Sequence, residues 1–117
     1  MNMRLDLVLL ITVPVMLAFG QFLFKMAGRN ISGNLGKDLW SIAFNPYFMA
    51  AGTLYVVASF LWVIALSRID ISKAYPFMAS GFIIVPILGY FLLNETLSFN
   101  YFIGVSLIFI GIIVTYL

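Results

Sequence analysis

The chain has no cysteine and no histidine. Without cysteine there is no disulfide and no thiol nucleophile. Without either residue, zinc sites of the usual ligand type and Ser–His relays are excluded. Charge is also scarce: Asp, Glu, Lys and Arg make up 9% of 117 residues, for a net charge of +2. So small and scattered a positive charge does not build a nucleic-acid surface. The gaps in the charge are the most informative absence. Leu7–Phe24, Tyr47–Ser67, Ala74–Asn94 and Thr96–Leu117 contain no charged residue at all.

What fills those gaps is apolar. The chain is 64% hydrophobic, with a mean hydropathy of +1.15. A hydrocarbon core about 30 Å thick takes roughly 20 helical residues. Each stretch has about that length and is apolar on every face, without the period-two alternation of a barrel strand. Helices that close their own backbone hydrogen bonds are then the form that lipid tolerates. The expectation is an all-α membrane protein, one unit over residues 1–117, with four transmembrane helices at about 5–27, 46–67, 74–94 and 96–117. The first stretch follows Arg4 as a signal peptide would. It has no small-x-small cleavage site, and Lys25 and Arg29 come after it, so it reads as a retained helix.

The connections differ in length. Gly28–Asn45 is the longest, and within it Lys37–Phe44 reads as a short interfacial helix with Trp40 at headgroup depth. Asn45-Pro46 marks the start of the second helix. Arg68–Lys73 is a tight turn, and Tyr75-Pro76 opens the third helix, which Pro86 interrupts. Asn94-Glu95-Thr96 is shorter still. Arg4, Arg68 and Lys73 fall on one side of the membrane; Lys25, Arg29 and Lys37 fall on the other. The positive-inside rule gives no orientation for such a balance. Four helices are too few to enclose a path, so a dimer is expected. It is either an antiparallel pair of copies or a pairing with a paralogous four-helix subunit.

No ionisable residue lies at mid-membrane depth, so the candidates sit near the faces. Gln21 and Lys25 are four apart and share one helix face, where an amide and an ammonium can meet a phosphate or a sugar. The alternative is that Gln21 bonds a neighbouring helix while Lys25 snorkels to the interface. Glu95 lies on the same side as Lys25. It either favours the positive end of the fourth helix, or pairs with Lys25 or a cationic group. Tyr55, Ser59 and Trp62 follow each other at i, i+4 and i+7, a stripe that lines a cavity or packs the bundle; Tyr75 and Ser80 stand under the same two readings. Gly104 and Gly111 lie on one face of the fourth helix and read as a subunit contact. Ser106 has no base beside it, so no enzymatic reading, metal or cofactor is expected.

Ala74-Tyr75-Pro76, Asn94-Glu95-Thr96 and the run Gly104–Gly111 (GVSLIFIG), in a chain of four-helix length, resemble the drug/metabolite transporter superfamily. Two of its branches have this size. The small multidrug resistance family of proton-coupled antiporters carries a carboxylate about two turns before a Lys in the first helix. Counting back from Lys25 puts Leu17 there. The second branch, EamA-like, comprises paired subunits that flip aminoarabinose-phosphoundecaprenol, and Gly20-Gln21, Lys25, Ala74-Tyr75-Pro76 and Glu95 resemble its pattern. The resemblance implies translocation of a polyprenyl-phosphate-linked sugar across a bacterial inner membrane. Gln21 and Lys25 would receive the phosphate, Tyr55, Ser59 and Tyr75 would line the groove, and Glu95 would meet an amino group. A transporter of small cations or metabolites, and a non-transporting membrane partner subunit, are the alternatives.

Overall fold

A computed structural model describes residues 3–117. Every regular element among them is helical. The elements are α1 (Met3–Gly28), α2 (Leu35–Ala43), α3 (Pro46–Leu66), α4 (Ile71–Ala74), a 3-10 segment (Tyr75–Ser80), α5 (Gly81–Leu93) and α6 (Phe99–Thr115). Three helical stretches are long and apolar enough to cross a membrane: Met3–Gly28, Pro46–Leu66 and the continuous run Ile71–Leu93. The fourth, Phe99–Thr115, is apolar but shorter. At ~1.5 Å per residue it spans about 26 Å, a little under a typical hydrocarbon core.

Local chemistry sets the ends of these helices. The Asn45 side chain accepts a hydrogen bond from the Tyr47 N–H at 2.8 Å. Pro46 takes the first helical position, where a missing N–H costs nothing. Ser98 accepts from the Tyr101 N–H at 3.1 Å and so caps α6. The fourth helix therefore begins at Phe99, three residues beyond the Thr96 start expected from the apolar run. The third helix departs further from expectation. It starts at Ile71, before Tyr75-Pro76 rather than with it. Pro76 has no N–H to bond one turn back, and the chain tightens into 3-10 geometry there before resuming as α5. Within α1, by contrast, Pro14 is buried and the helix runs on through it.

The main packing interface lies between α1 and α3. On α3 it is made by Ala51, Ala58 and Ala65, seven apart and all essentially inaccessible. On α1, Gly20 and Phe24 meet the Tyr55 ring of α3, while Leu10, Val13, Pro14 and Ala18 are buried along the same helix. Small side chains on one helix let the two backbones approach, which is how helices associate where lipid removes the hydrophobic drive. α5 and the 3-10 segment pack on α1 from another side. An Asp6–Arg68 ion pair at 3.7 Å joins α1 to the turn after α3.

A short helix, α2, forms where one was expected over Lys37–Phe44, shifted slightly toward the N-terminus. It leaves Leu35, Leu39 and Trp40 exposed along with Phe44 just beyond it. The rings of Trp40 and Phe44 stack at 5.7 Å. Its first turn is tied down by Asp38, whose carboxylate accepts from the Ser32 N–H at 2.9 Å, the Ser32 hydroxyl at 2.8 Å and the Gly33 N–H at 3.0 Å. The Ser32 N–H, helped by the other two donors, holds the Asp38 carboxyl below its ordinary value. This tether is fully present above the ordinary carboxylate range and is lost as pH falls through the lowered value.

α6 stands apart. None of its residues is buried, and its principal contact is with the 3-10 segment. Phe77 meets Tyr116 edge-on at 5.8 Å. The Tyr116 hydroxyl donates to the Lys73 carbonyl at 2.7 Å, pinning the far end of the helix to α4.

Candidate polar cleft between α1 and α5

The last two turns of α1 carry Gln21 and Lys25 toward the end of α5, where the chain reverses. Asn94 takes the left-handed conformation, with φ of 55°, and ends the helix. The Glu95 N–H then bonds back to the Gly89 carbonyl at 3.0 Å. This turn folds the Glu95 side chain back over α5. Its carboxylate comes to 3.8 Å from Lys25 Nζ. The separation is that of an ion pair without a direct hydrogen bond. Both side chains remain about half exposed. Lys25, Glu95 and Gln21, with Ala18, Leu88 and Gly89 among the apolar and small residues, line a cavity of about 150 Å³.

Gln21 links this cavity to the rest of the bundle. Its amide donates to the Tyr55 hydroxyl of α3 at 2.5 Å. Tyr55 also packs its ring against Phe24 at 5.2 Å. Gly20 makes the approach possible: a Cβ there would lie 2.5 Å from Tyr55 Cε2. Gln21 and Val85 also line a second cavity of about 330 Å³, with Phe82, Pro86 and Tyr101. Two adjoining spaces therefore share the Gln21 amide.

Of the expected site residues, Gln21, Lys25, Tyr55 and Glu95 are brought together at one end of the molecule. Ser59 and Trp62 are not among the residues lining the cleft. The Ser59 hydroxyl donates to the Tyr55 carbonyl of its own helix at 2.7 Å. Trp62 is half-buried and lies seven residues further along α3, about 10 Å away at ~1.5 Å per residue. Tyr75 is at the other end of the bundle. It is exposed and borders a cavity of about 400 Å³ against α6, which Gly111 also lines. A Cβ at Gly104 or Gly111 would meet nothing within 4 Å, so neither glycine serves packing within this subunit.

Sequence reasoning missed Gly89, which is buried and directly beneath the Glu95 carboxylate. A glycine inside an apolar run carries no sign of which side chain it accommodates. The Gly20-Gln21 pair was visible, but the aromatic partner across the helix interface was not. No cluster of residues suited to holding a metal ion occurs among the described residues.

These features define a multi-pass helical membrane protein with a small cleft of mixed charge at one end. Its residues 4–117 match the model of the EamA-like transporter family, and the chain belongs to that family. Among curated relatives, it is 30% identical over 112 residues to the probable 4-amino-4-deoxy-L-arabinose-phosphoundecaprenol flippase subunit ArnE of Pseudomonas fluorescens, covering 92% of this chain and 94% of that one. The protein of the same name from Aeromonas salmonicida is 27% identical over 107 residues, covering 92% and 93%. The one from Pseudomonas syringae is 28% identical over 79 residues, covering 62% and 73%. No solved structure matches the chain.

Proposed function

We propose that this chain is one subunit of a flippase that moves a polyprenyl-phosphate-linked aminosugar across the bacterial inner membrane. The observation that carries this reading is the cleft, where an ammonium, a carboxylate and an amide converge near one end of a lipid-exposed bundle. The relatives' names supply the substrate class: one phosphate and one amino group on a lipid. A phosphate leaving water is stabilised by Lys25 and by the Gln21 amide. The amino group is stabilised by Glu95. The polyprenyl tail stays in the bilayer beside the helices and needs no enclosed path.

The branch with proton-coupled antiport fits less well. The four acids are Asp6, Asp38, Asp70 and Glu95. None lies within the central turns of a span, and position 17 is a half-buried leucine. The direct test is flipping of the lipid-linked aminosugar phosphate in reconstituted vesicles, with this chain alone and with a paralogous four-helix subunit. Transport without dependence on a proton gradient is expected. Export of quaternary-ammonium compounds that depends on one of the four acids would overturn the reading.

The working unit in this proposal is a dimer, with α6 as the fourth span and part of the subunit contact. The support is its exposed surface and the open space over Gly104 and Gly111. Glycines of this kind let a second helix approach closely. Gly104→Leu and Gly111→Leu are expected to weaken association, measured by single-molecule photobleaching in bilayers. Unchanged association in both variants would mean that this stripe faces lipid.

A further inference from the structure

Gly89 sits where the carboxylate of Glu95 has to be. It is buried on the α1-facing side of α5. A Cβ built on it would lie 2.5 Å from Glu95 Oε2 and 3.3 Å from Cδ. Its carbonyl accepts the backbone N–H of the same Glu95 at 3.0 Å. One residue thus holds both the backbone and the side chain of Glu95 in the folded-back position. The colliding atom is the free end of a flexible side chain. A methyl group at position 89 therefore displaces the carboxylate more readily than it disturbs the helix. Alanine is also the better helix former.

We infer that Gly89 is a positioning residue that acts through Glu95, keeping its carboxylate turned toward Lys25 and fixing the charge pattern of the cleft. The two charges are complementary to each other across 3.8 Å. An incoming group with one positive and one negative end can exchange partners with both, leaving neither charge alone. A purely anionic head group can satisfy Lys25 but leaves Glu95 facing it. Held in place by Gly89, Glu95 acts as a filter against head groups without a cation. This inference deepens the proposed function and rests on it for the substrate, but the positioning role does not depend on transport.

The test separates the two. In detergent-solubilised full-length protein, the acylation rate of Lys25 by an amine-reactive reagent is measured by site-resolved mass spectrometry, with Lys37 as internal reference. Gly89→Ala is expected to shift the Lys25 rate several-fold, to the level of Glu95→Ala. The double variant Gly89→Ala/Glu95→Ala is expected to equal Glu95→Ala alone. In vesicles, Gly89→Ala should narrow the preference for an amino-bearing over a neutral sugar phosphate to the level seen in Glu95→Ala. A Lys25 rate unchanged by Gly89→Ala, or an added effect of Gly89→Ala when Glu95 is already absent, would overturn the positioning role. A changed Lys25 rate without flipping of any lipid-linked sugar would retain the positioning role and remove the flippase reading.

Discussion

Lys25→Ala is expected to cut flipping of a lipid-linked aminosugar phosphate by at least tenfold, with the protein still folded and assembled. A hydrogen bond to a charged group contributes about 1.5–3 kcal/mol, or roughly tenfold to a hundredfold in rate if it is made on the way across. The substitution also strands Glu95 beside a phosphate of the same sign. Glu95→Gln should lower transport of the aminosugar more than that of a neutral sugar, since only the first loses a partner. The pair itself adds little to folding. Both side chains are about half exposed, and such pairs contribute at most about 1 kcal/mol. Transport in vesicles and assembly by size-exclusion chromatography separate the two effects. Wild-type rates in Lys25→Ala and Glu95→Gln, with assembly intact, would reduce Lys25 to a snorkelling side chain and place recognition elsewhere.

The charged residues made this end of the molecule legible. Apolar runs bounded by Lys25 and Glu95 put both on one membrane face, and the ion pair follows from that topology. The short helix α2 was legible too, because Lys37, Asp38 and Trp40 break the apolar pattern. The interruption at Tyr75–Ser80 was harder to read. A proline one turn inside a helix and a proline at its start leave the same apolar run, and Asp70, at the N-cap position, makes no side-chain capping bond that would mark the true beginning. Thr96 read as the start of the last helix because it follows the last charge, whereas the capping hydroxyl belongs to Ser98. Contacts between spans were the least legible. The α3 surface is apolar all round, so no amphipathic face tells which side meets α1. The signal that does tell is one of size: Ala51, Ala58 and Ala65 recur at the spacing that was noticed for Gly104 and Gly111 on the last helix. The aromatic stripe on α3 drew the reading to Tyr55, Ser59 and Trp62 together, and only Tyr55 reaches α1 with a polar atom.

That alanine stripe carries the largest expected effect on stability. Ala58 is 1% exposed at the middle of the α1–α3 contact, with Ala51 and Ala65 each at 0% on either side. Ala58→Leu adds a branched side chain at a position with no free space around it. Overpacking of this kind costs about 1–3 kcal/mol in a well-packed site, and more where the neighbour cannot yield. α1 has little room to yield, because Val13 and Pro14 are themselves fully buried. The relief left to the bundle is to spread the two helices, which also pulls Tyr55 from Gln21 and opens the wall of the cleft. Ala58→Leu should therefore lower the midpoint of thermal unfolding in detergent by several degrees and reduce transport with it. Ala50→Leu is the control, since Ala50 is exposed on the same helix and the identical substitution there adds the same apolar bulk facing outward. Equal midpoints for the two variants would mean that α1 and α3 are not held together through the alanine stripe.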